Sequence, residues 1–392
     1  MSQKLNHHFV PQYHFRLFAG GKRYIHLASR DGFRFVRFAS VKGQCARHKF
    51  YGDERVEDWL SNLESRHAAI YRAVLDIAWT GRTIPLSDEE DNYLREAILL
   101  QHSRTPRHAR VLASATDQMM LHTYCEYLKA LPTTPERQAT IEAIQRGKAI
   151  LKNSQFISLM LSIRLAPRAV TAISDLSLLI LRNYTQVPFI MGDAPCVFSN
   201  RYMRDIRDSG VLSLMTRGLM AVLPIDPHTQ VLLYDAAVYT PEYSTAGCID
   251  VFRIADVSLL NALQIYSAEE NVYFADVSSE TYLRELLSAH RRHLQDHRGR
   301  FVIHGPGKIL VTGVPNTDEV LHVFEPQLPL TLDLSFISTS PLPSNQNPNH
   351  PRDLTLALQM YQGLGMPNEA SPIGMNEFAG WIESQLSVSG ET

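Results

Sequence analysis

The sequence predicts an α+β fold, in which an N-terminal hairpin and a helical bundle pack with a mainly antiparallel α/β region. Three observations support this class. Helical periodicity dominates residues 53–174, short apolar runs typical of strands follow from about residue 175, and strands do not alternate with helices regularly enough for a doubly wound parallel sheet. With 392 residues, 45% of them hydrophobic, the chain has ample capacity to bury a core.

These patterns divide the chain into four segments. Residues 1–52 form a basic segment with a hairpin, residues 53–174 a helical region, residues 175–325 an α+β region, and residues 326–392 a linker and C-terminal tail. The linker prediction rests on the Pro, Ser and Asn content of residues 337–352. The tail can dock on the body, exchange with a partner or stay mobile, so it is a candidate interface and the oligomeric state is open.

The hairpin prediction comes from an Asp-Gly pair between two alternating segments. Residues 24–28 and 33–39 have the period of strands, and Asp-Gly favours the turn between them. On this pattern we expect Phe33 and Phe35 to face a core.

Capping residues set the helix boundaries in the second segment. Asp53 is a candidate N-cap for a helix that reaches about Trp79. A capping box of Ser87 and Glu90 begins the next helix, which must end or kink before Pro106. Further helices are predicted over residues 107–130, 136–152, 154–174, 259–268 and 279–295. Strands are predicted over residues 176–183, 187–191, 221–224 and 230–234, with a hairpin of 301–304 and 308–312.

Cysteine usage and hydropathy indicate a soluble, cytoplasmic protein. The four cysteines are widely spaced without a CxxC pair, which argues against a disulfide framework. The longest aliphatic run, Leu176–Leu181, is too short to span a bilayer, so no membrane partner is expected.

The charge is unevenly distributed along the chain. The first 50 residues hold ten basic residues and one acidic residue, whereas residues 51–100 hold eleven acidic and five basic residues. A basic segment with interleaved aromatics is typical of a polyanion-binding surface, and neutralisation by the following helix is the alternative. The nucleic-acid-binding candidates are Arg34, Arg37, Lys42, Arg47 and Lys49.

The first group of residues suited to catalysis is the histidine pair at the N-terminus. Imidazoles ligate metals and exchange protons near neutral pH, so His7 and His8 are candidate site residues. Adjacent residues of an extended segment point to opposite sides, so only one of them enters a given pocket. The alternative is that both are hydrogen-bonded structural residues that anchor the N-terminus.

Two later groups contribute an arginine and a carboxylate. Gln101 and Arg104 lie where a helix ends, and a guanidinium fork suits a phosphate or a carboxylate. The alternative for Arg104 is capping of helix carbonyls. Asp193 follows an apolar run and precedes a proline, a place for a metal ligand or a general base, although Asp-x-Pro is also an ordinary turn.

The opening HHFVPQYHFRLFAG resembles the hallmark of a bacterial family called domain of unknown function 4238 (DUF4238). Three internal segments, residues 100–106, 189–195 and 223–227, are similar to further motifs of that family, so the resemblance spans most of residues 5–275. The hallmark is matched by His7, His8, Val10, Pro11 and Phe18, while His14 and Phe15 replace its usual tyrosine and leucine. The resemblance implies that the groups described above belong together.

A pocket that combined these groups would suit phosphodiester hydrolysis. We therefore expect a metal-dependent nuclease or phosphodiesterase of bacterial defence or toxin type, using Mg²⁺, Mn²⁺ or Zn²⁺. His8 and Asp193 would be the metal ligands. The expected catalytic residues are His7, His8, Gln101, Arg104 and Asp193. The alternatives are a non-catalytic protein that binds nucleic acid or a partner, and a structural subunit.

Overall fold

The α+β class is confirmed. The computed structural model describes residues 6–52, 54–80, 85–206, 210–242, 247–294, 298–304, 320–325, 327–341, 352 and 372–388. The predicted N-cap Asp53 and the predicted strand 308–312 lie outside these residues.

Helices occur mainly in the first half of the described chain. They are Gln12–Phe18 (α1), Glu54–Trp79 (α2), Asp88–Ser103 (α3), Pro106–Ala130 (α4), Pro135–Gln145 (α5), Ser154–Leu165 (α6), Ile254–Ser267 (α7), Glu280–His290 (α8) and Pro372–Gln385 (α9). A 3₁₀ segment, Ala166–Ile173, continues α6.

The strands form two larger sheets and several two-stranded pairs. In chain order they are Asn6–His8 (β1), Tyr24–Ser29 (β2), Phe35–Ser40 (β3), Ala46–His48 (β4), Ala149–Leu151 (β5), Ser177–Asn183 (β6), Met191–Gly192 (β7), Val197–Ser199 (β8), Met220–Asp226 (β9), Thr229–Tyr234 (β10), Tyr239–Pro241 (β11), Cys248–Val251 (β12), Asn271–Phe274 (β13), Arg300–His304 (β14), Val320–Phe324 (β15), Ile337–Thr339 (β16) and Leu386–Val388 (β17).

The larger sheet has five strands in the order β12-β6-β10-β9-β8, and only the β12–β6 pair is parallel. The smaller has the antiparallel order β3-β2-β13-β7. The remaining pairs are β1–β4, β11–β16, β14–β15 and β5–β17.

One large core joins the helical bundle to the five-stranded sheet. Leu60 of α2, Ile98 of α3, Leu223 of β9 and Leu260 of α7 are fully buried in it. A second cluster packs the N-terminal segment on the four-stranded sheet, where the rings of Phe15 and Tyr273 lie 4.8 Å apart. The four sequence segments therefore share cores and sheets.

Local sequence signals set the boundary between α3 and α4. The predicted capping box is present, since Ser87 Oγ accepts from Glu90 N and the Glu90 carboxylate accepts from Ser87 N. Helix α3 ends at Ser103, as Pro106 requires, and α4 begins at that proline with Thr105 as its N-cap.

Some local predictions are wrong. Phe33 lies in the hairpin turn and is 77% exposed, whereas Phe35 packs on the core as expected. The helix predicted over 136–152 ends at Gln145, because Gly147 adopts a positive φ of 67° and the chain then enters β5.

Strand predictions in the second half of the chain differ from the structure in extent. Among the described residues β14 pairs with β15, while the predicted partner strand, residues 308–312, lies outside them. The strand predicted over 187–191 is reduced to the two residues of β7, and residues 337–339 of the predicted linker form β16.

The described part of the C-terminal tail docks on the body of the chain. Ile382 and Ala379 of α9 are buried in one cluster with Tyr124 and Leu128 of α4, and β17 pairs with β5. Tyr124 Oη also donates to Glu383 Oε1 at 2.8 Å.

One described stretch, Ser154–Ile173, is long and apolar enough to cross a membrane, judged by length and composition alone. Its most apolar window is 44% buried inside the fold. The core helix of a soluble protein passes the same test, so the signal is weak.

Candidate metal centre

The structure brings the N-terminal segment with its two histidines to Gln101 and Arg104, and these two side chains bind main-chain carbonyls of that segment. Gln101 Nε2 donates to Phe9 O at 3.0 Å, and Arg104 Nη2 donates to His8 O at 2.6 Å. His7 is buried, stacks on the ring of Tyr51 and accepts from Tyr51 N at 3.1 Å. These contacts fit the alternative in which the histidines anchor the N-terminus.

His8 has a similar structural role in this arrangement. Its Nε2 lies 3.1 Å from the carbonyl oxygen of Lys42 and 3.2 Å from Gln12 Nε2, so it either donates to the carbonyl or accepts from the amide. Either bond occupies Nε2 within the fold.

Arg104 is a fully buried cation held by three partners. Besides His8 O, its guanidinium contacts Tyr51 Oη at 3.1 Å and Glu64 Oε1 at 2.9 Å. Burial acts to lower the pKa of Arg104, but Tyr51 and Glu64 outweigh it and the net direction is up. All of this bonding joins segments of the fold, so Arg104 is a structural cation here.

Asp193 binds main-chain amides instead of presenting itself as a metal ligand. Its two oxygens accept from Glu269 N at 2.6 Å, Glu270 N at 2.8 Å and Asn271 N at 3.0 Å. Burial raises the pKa of Asp193 to about 6, although the three N–H bonds act to lower it. The predicted metal ligands His8 and Asp193 therefore each contact main-chain groups of the fold.

Three of the predicted nucleic-acid-binding residues have partners in residues 270–280. The pairs are Arg34 with Asn271 at 3.1 Å, Arg37 with Glu280 at 2.8 Å, and Arg47 with Glu270 at 2.6 Å. For Arg37 and Arg47, the neutralising carboxylate comes from the second half of the chain, whereas the sequence suggested α2; Arg34 binds a neutral amide. Lys42 and Lys49 are exposed.

A different set of side chains meets the requirements of a metal site. One ligand atom each from His102, His108 and Glu325 lies within 4.8 Å of the other two. His102 is on the last turn of α3, His108 on the first turn of α4, and Glu325 directly follows β15. The hairpin β14–β15 packs on α4, which carries Glu325 to the histidines. This group can hold a metal ion.

The hydrogen bond that His102 donates from Nδ1 leaves its Nε2, the nitrogen that faces Glu325, as an acceptor. Nδ1 lies 3.3 Å from the carbonyl oxygen of Cys196, so Nδ1 carries the proton. In the neutral ring, Nε2 then has a lone pair, and it lies 3.6 Å from Glu325 Oε2. Two acceptors that face each other at this distance repel unless a cation or proton lies between them. A histidine that binds a metal through one ring nitrogen typically donates the N–H of the other ring nitrogen in this way.

In His108, one ring nitrogen is hydrogen-bonded and the other is not. Nε2 lies 3.0 Å from the Ser162 hydroxyl, which can donate or accept, while Nδ1 is buried and has no hydrogen-bond partner among the described residues. When Nε2 carries the proton and donates to the hydroxyl, Nδ1 has the lone pair. Thr105 Oγ1 caps the main-chain N–H of His108 at 3.2 Å and so fixes the start of the helix that holds the ring. An unpartnered buried nitrogen is costly, and a bound cation would satisfy it.

Burial keeps both imidazoles neutral. It lowers the pKa of His102, although Glu325 and the Cys196 carbonyl raise it. It lowers the pKa of His108 well below the ordinary value, and His102 and Arg107 lower it further. Because metals bind the neutral imidazole, these directions favour ligation near neutral pH.

The three groups surround a small polar cavity. Its volume is about 10 Å³, room for about one water molecule or metal ion. Arg107 lies on its wall and donates from Nη2 to Glu325 Oε1 at 3.0 Å. Ala194 and Ser267 also line the cavity. The Asp193 clamp, by which we mean this carboxylate and the three main-chain amides that it binds, therefore lies directly beside the cavity.

Sequence reasoning missed these ligands for a geometric reason. His102 and His108 are six residues apart, which places them on different faces of a straight helix. The break at Thr105 and Pro106 turns the second helix and brings the rings to 4.7 Å between centroids. Two histidines on either side of a helix-breaking proline were the available signal, whereas nothing local marks Glu325.

The comparisons with known proteins identify a family and no activity. A family model described as "Protein of unknown function (DUF4238)" matches residues 6–278. Searches of curated proteins and of solved structures gave no match. The matched span contains His102 and His108 and ends before Glu325.

Proposed function

Since the chain belongs to the DUF4238 family, which names no reaction, we propose from the geometry that it is a metal-dependent phosphodiester hydrolase of the cytoplasm. One observation carries the proposal. Two neutral imidazoles and a carboxylate converge on a one-water cavity whose wall includes an arginine. The reactive site of this proposal is His102, His108 and Glu325, in place of the residues expected from the sequence.

The donor set favours a particular kind of metal. Two histidines and one carboxylate are ligands typical of catalytic Zn²⁺ and also suit Mn²⁺, whereas Mg²⁺ prefers oxygen ligands. Three protein ligands leave a position for water. A metal in such a position lowers the pKa of the bound water and so supplies a hydroxide near neutral pH.

An arginine on the cavity wall supports a phosphate ester as the substrate. Arg107 lines the cavity, while Arg110, about one turn later on α4, binds Glu269 through two hydrogen bonds of 2.7 and 2.8 Å. Guanidinium groups stabilise the charge that develops on phosphoryl oxygens when water attacks phosphorus and the ester P–O bond breaks.

The decisive experiment is cleavage of mixed RNA and DNA by purified protein with Zn²⁺, Mn²⁺ or Mg²⁺. We expect cleavage with Zn²⁺ or Mn²⁺, and its loss by about a hundredfold or more in His102→Ala and Glu325→Gln. His48→Ala is the matched control, because His48 is exposed on β4. Equal activity of wild type and both site variants would refute the assignment.

Non-catalytic nucleic-acid binding is the competing function. The exposed ammonium groups of Lys42 and Lys49 favour it. Salt-sensitive binding that persists in His102→Ala, with no cleavage under any of the three metals, would support this function instead.

A further inference from the structure

The guanidinium of Arg30 is half-buried and has few hydrogen-bond partners among the described residues. It directly follows β2, and its Nη2 donates to the carbonyl oxygen of Tyr266 at 3.5 Å, a long bond. Its Nε is buried and has no hydrogen-bond partner among the residues that the structure describes. By contrast, Arg107 and Arg110 each donate to a carboxylate, Glu325 and Glu269 respectively.

The position of Arg30 links it to the candidate metal centre. Its partner Tyr266 immediately precedes Ser267, which lines the cavity and donates to Ala194 O at 2.8 Å. The main-chain N–H of Arg30 donates to Glu270 O at 2.8 Å, which holds the end of β2 against the residues bound by Asp193. The guanidinium therefore contacts the residue that adjoins one lining residue of the cavity.

The charges around Arg30 favour an added anion. Burial lowers the pKa of Arg30, and the charge of Arg107 lowers it further, while Glu269 raises it. An arginine nevertheless stays protonated at any physiological pH. The nearby carboxylate of Asp193 already accepts three main-chain N–H bonds, and Glu269 is bound in bidentate fashion by Arg110. Within the part of the chain that the structure describes, the cation thus has no carboxylate partner of its own.

We infer that Arg30 binds the phosphoryl oxygens of the substrate beside the cation site, which makes phosphate esters the substrate class of the proposed hydrolase. This inference rests on the proposed function. Beyond the long bond to Tyr266 O, the two Nη groups of Arg30 carry further N–H donors, and a pair of such donors fits two oxygens of one phosphate. Arg30 is a binding and positioning residue here, and the cation ligands do the chemistry.

Binding of two small probes tests the inference without any cleavage. The probes are inorganic phosphate and a deoxythymidine dinucleotide with one phosphodiester linkage, measured by calorimetry without added metal and again with Zn²⁺. In either condition, Arg30→Gln is expected to weaken binding by about tenfold or more, the loss of a charge-assisted hydrogen bond. Tighter binding of the dinucleotide would identify a diester substrate, and equal binding a site for free phosphate.

Two further variants keep the result interpretable. Arg23→Gln removes the same charge from an exposed position at the opposite end of β2, and it should bind both probes like the wild type. Arg30→Lys keeps the charge without the fork and should recover only part of the affinity, which also separates a binding defect from misfolding.

The binding data decide this inference separately from the cleavage assay. Wild-type affinity in Arg30→Gln, equal weakening in Arg30→Gln and Arg23→Gln, or no binding of either probe by the wild type in both conditions would overturn it. Absence of metal-dependent cleavage would instead count against the proposed hydrolase.

Discussion

Arg104 Nη2 donates to the main-chain oxygen of His8 at 2.6 Å, across 96 residues of sequence. The same guanidinium pairs with Glu64 of α2 and contacts Tyr51, so one buried cation joins β1, α2 and the end of α3. The N-terminal motif is therefore held in place by a residue that the sequence marked as catalytic.

Replacing Arg104 should destabilise the fold strongly. In Arg104→Met the Glu64 carboxylate and the His8 carbonyl lose their partner, and we expect a loss of about 3–5 kcal/mol in the free energy of unfolding. Urea titration measures it. Arg72→Met, at an exposed position of α2, should cost less than about 0.5 kcal/mol. A similar small cost for both variants would show that the buried cation is unimportant for stability.

The Asp193 clamp should matter for stability and not for metal binding. Asp193→Asn replaces one acceptor oxygen with an amide that faces a main-chain N–H, so a loss of about 2–3 kcal/mol is expected. Zinc content after dialysis, measured by elemental analysis, should equal that of the wild type. A variant that folds stably but loses its zinc would show that Asp193 is a metal ligand.

Metal should stabilise the folded protein through His108. At a free Zn²⁺ concentration of ~100 times Kd, binding contributes about 2.7 kcal/mol, which raises the melting temperature by several degrees. The increase should vanish in His108→Ala and persist in His48→Ala. If His108→Ala responds to zinc as the wild type does, the ion binds elsewhere.

His14 makes stability depend on pH. Its Nε2 donates to Pro224 O at 2.6 Å and burial lowers the pKa of His14 to about 4. Above pH 6.5 both folded and unfolded states are neutral. As the pH falls from 6.5 to 4, only the unfolded state gains the proton, so stability is lost, by about 3 kcal/mol in total.

Comparison with a His14→Gln variant isolates this contribution. Glutamine can still donate to Pro224 O but does not titrate, so its free energy of unfolding should fall less steeply between pH 6.5 and 4. Asp193 acts in the opposite direction, because its raised pKa removes stability as the pH rises from about 4 to 6. Both proteins contain Asp193, so its contribution cancels in the difference between their free energies of unfolding. Parallel pH profiles of wild type and variant would contradict the role of His14.

The docking of the tail should depend on one buried side chain. Ile382 of α9 is fully buried against the cluster on α4, so Ile382→Ala should weaken docking by about 2–4 kcal/mol. Faster hydrogen exchange of the amides of α9 and β17 would report it. Glu377→Ala, at an exposed position of the same helix, is the control, and unchanged exchange in Ile382→Ala would contradict this docking.

Periodicity and capping signals predicted much of the local structure. The capping box at Ser87 and the stop before Pro106 are both present, because hydrogen bonds to neighbouring amides and the shape of proline act within one helical turn. Phe33 was misplaced because strand alternation does not reveal where a turn ends. Strand β15, which pairs with β14, was not among the predicted strands.

The sequence by itself determined the class of fold, the family and the residue types available for a site: imidazoles, guanidinium groups and carboxylates near particular helix and strand ends. Only the tertiary structure decided which of them meet. Side chains and main-chain groups far apart in sequence compete for the same partners. In the structure Arg104 and Asp193 bind main-chain carbonyls and amides, while the turn at Pro106 and the strand pair β14–β15 bring His102, His108 and Glu325 to one cavity.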